Sequence, residues 1–191
     1  GERCQEPGTV DGEGHALYAG DDNTFRGNKS VISATIAPGT REIGKGGFSK
    51  CTNLRSIAIP PGCKIIREWA FDGCTSLALT RLPDGLTSIG DGAFLGCTTL
   101  ALTRLPESLT SVGNDAFRGS GFSVSRRLIS FATIPEGTTE LADRAFNGDT
   151  SLVSVAFPSS LRHIGDDAFR GCTSLTLTGL PNFLTSIGDR S

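Results

Sequence analysis

Methionine is absent from the 191 residues, tryptophan and tyrosine occur once each, and histidine occurs twice. Two histidines, His15 and His163, and no Cys-x-x-Cys pair leave little from which to build a zinc site or an acid–base catalytic set. No run approaches the roughly 18 apolar residues that a membrane-spanning helix needs, and no apolar h-region stands near the start. Lys and Arg number 18 against 20 Asp and Glu, so at a net charge of −2 there is no basic footprint for nucleic acid or anionic lipid. The first residue is not methionine either, and the chain is expected to be processed or excised from a longer one. Charge is unevenly placed. Residues 1–24 carry Glu2, Glu6, Asp11, Glu13, Asp21 and Asp22 against Arg3 alone, a net of −5, which leaves +3 for the rest of a chain totalling −2.

What is plentiful is phenylalanine, with 11 residues, and glycine, with 25. Phe25, Phe48, Phe71, Phe94 and Phe117 follow one another at intervals of 23; Phe146 comes 29 later and Phe169 another 23 on. Five residues before all but the first stands an aliphatic: Ile43, Ile66, Ile89, Val112, Leu141 and Ile164. A repeat this short cannot bury its apolar positions alone, so the period predicts a solenoid in which stacked coils share one core. Within a coil, Leu54-Arg-Ser-Ile57-Ala-Ile59-Pro60 alternates and then stops at proline, the pattern of a short parallel strand. Leu86-Thr-Ser-Ile89 predicts a second extended piece. Asp91-Gly-Ala-Phe94 predicts one helical turn with an acidic N-cap, closed by Gly96 in a left-handed conformation.

These copies, for example CTSLALTRLPDGLTSIGDGAF from Cys74 to Phe94, resemble the BspA-like leucine-rich repeat family from Phe25 to Ile187. The resemblance implies a right-handed leucine-rich repeat solenoid, mainly short parallel β-strands with one short helical turn per coil. Residues 1–24 are then an acidic N-terminal cap or tail, and 25–191 a solenoid of about seven coils with an insertion near 119–128 and no evident C-terminal cap. Two departures stand out. In Leu77-Ala-Leu79-Thr80, Leu100-Ala-Leu102-Thr103 and Leu175-Thr-Leu177-Thr178 a leucine arrives one place early, and either the strand shifts register or the leucines line an outer face. The other is the insertion around Gly119 to Arg127. The last coil, ending at Ile187, has no phenylalanine behind it, which predicts exposed Leu180, Phe183, Leu184 and Ile187 and a chain that continues or associates through this end.

Several residue sets invite chemistry. Cys51, Cys74, Cys97 and Cys172 share one place, three after each phenylalanine, where Asn28, Ser120 and Asp149 also stand; Cys63 aligns with Leu86 and Leu109. They are expected to be buried free thiols whose column satisfies turn backbone groups, with a bridge through Cys4 as the alternative. The acidic column Glu68, Asp91, Asp143, Asp166 and Asp189, with Asn114 in line, supplies one or two oxygens per coil where calcium takes six to eight. Each acid is therefore expected to cap its own turn. Asn28-Lys-Ser30 is a formal glycosylation sequon, but its asparagine falls in the cysteine column. His163 holds a variable place and is expected in solvent. No catalytic residue, metal or cofactor is predicted.

The leading expectation for function is a non-enzymatic protein–protein interaction or adhesion module, since a solenoid assembles its recognition surface from variable positions in successive coils. Candidate contacts are Arg55, Arg81 and Arg104 on the strand side, with Phe122, Arg126 and Arg127 in the insertion. Arginine suits paired carboxylate contacts. The resemblance implies an extracellular or cell-surface setting and a protein partner, with neither nucleic acid nor membrane insertion. An architectural spacer within a larger protein is the alternative. The threonine rows Thr80, Thr103, Thr178 and Thr87, Thr110, Thr185 raise ice binding as a remote third.

Overall fold

The computed structural model describes residues 6–121, 131–134, 136–150 and 152–191. Cys4, Phe122, Arg126 and Arg127 lie outside the described residues. Every named strand pairs in parallel. The main strands are β1 (His15–Tyr18), β2 (Ser33–Ile36), β4 (Ser56–Ala58), β8 (Phe131–Thr133) and β10 (Ser154–Ala156). The second strands are β3 (Glu42–Ile43), β5 (Ile65–Ile66), β6 (Ser88–Ile89), β7 (Ser111–Val112), β9 (Glu140–Leu141), β11 (His163–Ile164) and β12 (Ser186–Ile187). Alternation decides each face: Ile57 is buried between exposed Ser56 and Ala58, and Ile66 is buried beside exposed Ile65. The second strands stack in register through Ile43, Ile66, Ile89 and Val112. One residue of slip would turn that apolar row outward.

Phenylalanine forms the axis of the core. Phe48, Phe71, Phe94, Phe117 and Phe146 are fully buried. Adjacent rings from Phe48 to Phe169 lie 5.3–5.7 Å apart and within 11° of parallel. The longer coil does not break the column, for Phe117 and Phe146 still stack at 5.7 Å. Seven phenylalanines from Phe25 to Phe169 bound six coils. At the N-terminal end, Gly8 to Leu17 form a small hairpin with an antiparallel bridge between Val10 and Ala16, and β1 pairs with β2. Tyr18 extends the aromatic column: its ring sits 4.8 Å from Phe48, and its hydroxyl donates to Asp21 O and accepts from Gly44 N.

The expected helical turn is not there. Among the described residues no helix occurs, and the segment around each phenylalanine is a run of turns. The reason is a left-handed residue two places before each ring: Gly46, Trp69, Gly92, Asp115, Arg144 and Asp167 all have φ between 53° and 62°. A left-handed residue cannot continue a right-handed helix. The backbone is satisfied in another way. Trp69, Phe71 and Gly73 donate to the carbonyls of Asp91, Ala93 and Leu95 in the next coil, while Ala70, Asp72 and Cys74 donate within their own coil. Half of the N–H groups thereby bind neighbouring coils together. Gly96 does take the expected left-handed form, at φ 67°.

The acidic column also differs from expectation. Asp91 Oδ1 accepts from Asn114 N at 2.7 Å, Asp143 from Asp166 N and Asp166 from Asp189 N at 2.8 Å. Each carboxylate caps the following coil rather than its own turn. Gly113 allows the approach, because a Cβ there would fall 2.5 Å from Asp91 N.

Of the early leucines, Leu102 is buried, Leu79 is half-buried against the core and Leu177 is exposed. Leu77, Leu82, Leu100, Leu102 and Leu105 are buried, and the segments 77–80 and 100–103 carry no strand. The main strands accordingly fall into two sheets, β1-β2-β4 and β8-β10. In the last coil the equivalent residues are open: Leu177, Leu180, Phe183 and Ile187 are 45–65% exposed, whereas Leu184 is half-buried.

The cysteine column is as expected. Cys51, Cys74, Cys97 and Cys172 are buried free thiols, and each Sγ donates to a phenylalanine carbonyl 26 residues earlier, at 2.9–3.2 Å. Asn28, in the same column, is only half-buried, and its Oδ1 accepts from Ser30 N. Cys63 is buried as well. Burial pushes the thiols up, to about 11 for Cys51 and about 12 for Cys97 and Cys172.

Two outcomes follow from this core. Phe94→Ala should lower stability by about 3–5 kcal/mol in denaturant titration, since neighbouring coils cannot close the void without losing register. A loss below about 1 kcal/mol, the size of an ordinary surface change, would mean that the phenylalanine column is not the core. Alkali should also destabilise. Above about pH 9 the unfolded chain loses thiol protons that the folded chain keeps, so stability falls as pH rises. Denaturation midpoints at pH 7.5 and pH 10 measure this, and thiol reagents should label the column only after unfolding. A midpoint unchanged between the two, or rapid labelling of the native chain, would contradict the buried column.

Candidate interaction surface

Arg81 and Arg104 occupy one repeat position in consecutive coils and converge on a single carboxylate. Arg81 Nη2 is 3.7 Å from Asp84 Oδ2, and Arg104 Nη2 is 3.2 Å from Asp84 Oδ1. All three side chains are largely exposed, Asp84 at 69%. Exposed pairs of this kind contribute little to stability, about 0–1 kcal/mol, so the guanidinium groups can exchange Asp84 for another acid at small cost. Two arginines on one aspartate also leave an excess positive charge. The dent between Arg81, Arg104 and Pro106 is too shallow to enclose a small molecule.

Arg55 does not join them. It stands three positions earlier in its coil, aligned with Ala78, whose N–H donates to the Arg55 carbonyl. Of the three arginines expected at similar places on the strand side, Arg81 and Arg104 therefore share a repeat position, in coils that have no main strand among the described residues.

Spacing arguments missed a second set of charge pairs, on the turn side. Asp115 lies between Arg118 at 3.7 Å and Arg144 at 3.4 Å, and Asp167 between Arg170 at 3.8 Å and Arg190 at 3.2 Å. These aspartates are only 20% and 11% exposed, so they tie adjacent coils rather than offer charge to a partner. The signal is in the spacing: Asp115, Arg144 and Asp167 share the column two places before a phenylalanine, and Arg190 is 23 residues after Asp167. The same column holds Trp69, the one tryptophan, 44% exposed at φ 54°.

The remaining polar sets are structural. His15 Nδ1 lies 2.8 Å from Ser33 Oγ and Nε2 3.1 Å from Thr35 Oγ1, so the ring ties β1 to β2 on the open face of the sheet. His163 is exposed, with Nδ1 2.7 Å from Ser186 Oγ. Thr87, Thr110 and Thr185 each donate to a carbonyl of the preceding coil. Among the described residues no three His, Cys, Asp or Glu side chains cluster as metal ligands. Among them, too, no helix is long and apolar enough to cross a membrane.

A parallel-stranded solenoid on a 23-residue repeat of leucine and phenylalanine defines a leucine-rich repeat protein. The BspA type leucine rich repeat region matches in six copies over residues 21–126 and 121–191, and the chain belongs to that family. A leucine-rich repeat protein of T. pallidum is 26% identical, with 91% of this chain and 87% of that one covered and a TM-score of 0.71. One from Bacteroides ovatus is 30% identical at a TM-score of 0.74, covering 91% of this chain and 43% of its own length. One from Eubacterium ventriosum is 26% identical at 0.67, covering 83% and 41%. No curated protein matches the chain.

Proposed function

We propose that the chain is a non-enzymatic protein-binding or adhesive module, presented outside the cell or at its surface, and that Arg81 and Arg104 form part of its contact with an acidic protein surface. The observation that supports this most is the pair of guanidinium groups held on one exposed carboxylate above a surface too shallow for a small ligand. A protein partner with a carboxylate at this point would meet bidentate donors already fixed in position by the stack beneath them. The extracellular setting rests on membership of the BspA-type family. Phe122, Arg126 and Arg127 enter the proposal from sequence alone.

The test is a double variant. Arg81→Ala with Arg104→Ala should leave the melting temperature nearly unchanged, because both groups are solvated. Capture of proteins from a surface extract by the immobilised chain should fall about tenfold or more, as one or two charge-assisted contacts are lost. Equal capture by variant and parent would remove this pair from the contact surface.

A further inference from the structure

The column of left-handed residues runs Asn23, Gly46, Trp69, Gly92, and its side chains lean toward the next coil. A Cβ at Gly46 would strike the Asn23 amide, and one at Gly92 would strike the Trp69 indole. Gly46 contributes no side chain of its own, so a gap opens between Asn23 and the indole. The result is a cleft of about 460 Å³ on the turn side, lined among others by Arg26, Lys45, Gly46, Lys50, Trp69 and Asp72. That volume is within the range of small-molecule sites, roughly 300–1,000 Å³.

Its chemistry is mixed in a particular way. Trp69 presents a half-exposed indole held at φ 54°, a backbone region that bulky side chains rarely occupy. Lys45 Nζ rests 4.9 Å from the indole centroid. Lys50 pairs with Asp72 at 3.3 Å, and the Ser49 hydroxyl donates to the same carboxylate at 3.4 Å. Arg26 and Lys45 form no ion pair among the described residues, so the cleft carries three cations against one acid. A simple anion would use the cations but leave the indole and Asp72 idle. A neutral ring would use the indole but leave the cations idle.

We propose that this cleft binds an acidic sugar unit, a uronate residue of a glycan. One face of a pyranose ring presents electropositive C–H bonds, which fit the electron-rich face of an indole. Its hydroxyls can donate to Asp72, and its carboxylate can accept from Arg26 and from Lys45 as the ammonium turns away from the indole. The site is on the turn side and does not depend on the Arg81–Arg104 surface.

Because Trp69 is the sole tryptophan, its fluorescence reports on the cleft directly. Titration of the whole chain with trigalacturonate should give a saturable change in emission, while maltotriose and acetate at equal concentration should not. Arg26→Ala and Lys45→Ala, both at exposed positions, should each weaken the trigalacturonate response about tenfold, the loss of one charge-assisted contact. The Arg81→Ala, Arg104→Ala chain should bind it as the parent does. Three results would overturn the proposal: no saturable binding of trigalacturonate by fluorescence or calorimetry, an equal response to acetate, or tighter binding of hexaglutamate, which would make the site one for acidic peptide.

Discussion

One ring per coil, face to face with the ring of the next, forms the axis of this protein's core. Parallel ladders hold successive coils about 4.8 Å apart, and the phenylalanine rings, with centroids 5.3–5.7 Å apart, stack at a spacing compatible with that rise. An aromatic contact is worth only about 0.5–1.5 kcal/mol beyond its burial. Its larger effect is geometric. Each ring from Phe48 to Phe146 has a neighbour above and below, so one misplaced ring disturbs two coils. The coil of 29 residues obeys the same rule, for Phe117 and Phe146 keep their stacking across it.

Around that axis, polar groups are arranged so that one coil completes the next. A buried turn segment has more backbone donors and acceptors than its own hydrogen bonds can absorb. Alternate N–H groups reach the following coil, thiols reach the phenylalanine carbonyls of the preceding one, and carboxylates such as Asp91 take the N–H that begins the next turn. Cysteine suits its column because it is small, apolar enough to be buried and still able to donate weakly. Asp149, in the same place, uses Oδ1 to accept from Leu152 N.

Much of this was legible in the period. The period identifies which residues share a column, and columns identified the phenylalanine axis, the thiols, the two strands and left-handed Gly96. What a period cannot reveal is which coil a hydrogen bond goes to. Asp91 followed by Gly-Ala-Phe looks like an N-cap on its own turn, yet its partner is 23 residues on. The same blindness made a helix of a segment whose N–H groups point to the neighbouring coil. Arg55 was grouped with Arg81 and Arg104 by resemblance of context, although counting from Phe48 puts it three places early. Trp69 gives no such signal, because its column changes residue type from one coil to the next.

The separation between core and surface also bears on where function can reside. Inward columns admit few residue types, since a change in one coil must be absorbed by two neighbours. Outward columns on the same backbone meet only solvent and ion pairs of small net worth. The column two places before each phenylalanine lies between these cases. Its conformation is imposed by the stack, at a cost of about 1–2 kcal/mol for most residues with a Cβ. It is held by Asn23, Gly46, Gly92, Asp115, Arg144, Asp167 and Arg190 in the other coils. Glycine takes the conformation freely, asparagine and aspartate at reduced cost, and Arg144 gains a pairing with Asp115. Trp69 has none of these offsets beyond a lysine resting on its indole, and it exposes an aromatic surface in a column where glycine would be cheaper. Strain of that size at a half-open indole, beside Arg26 and Lys45, which form no ion pair among the described residues, is better explained by something the indole binds than by the stability of the coil.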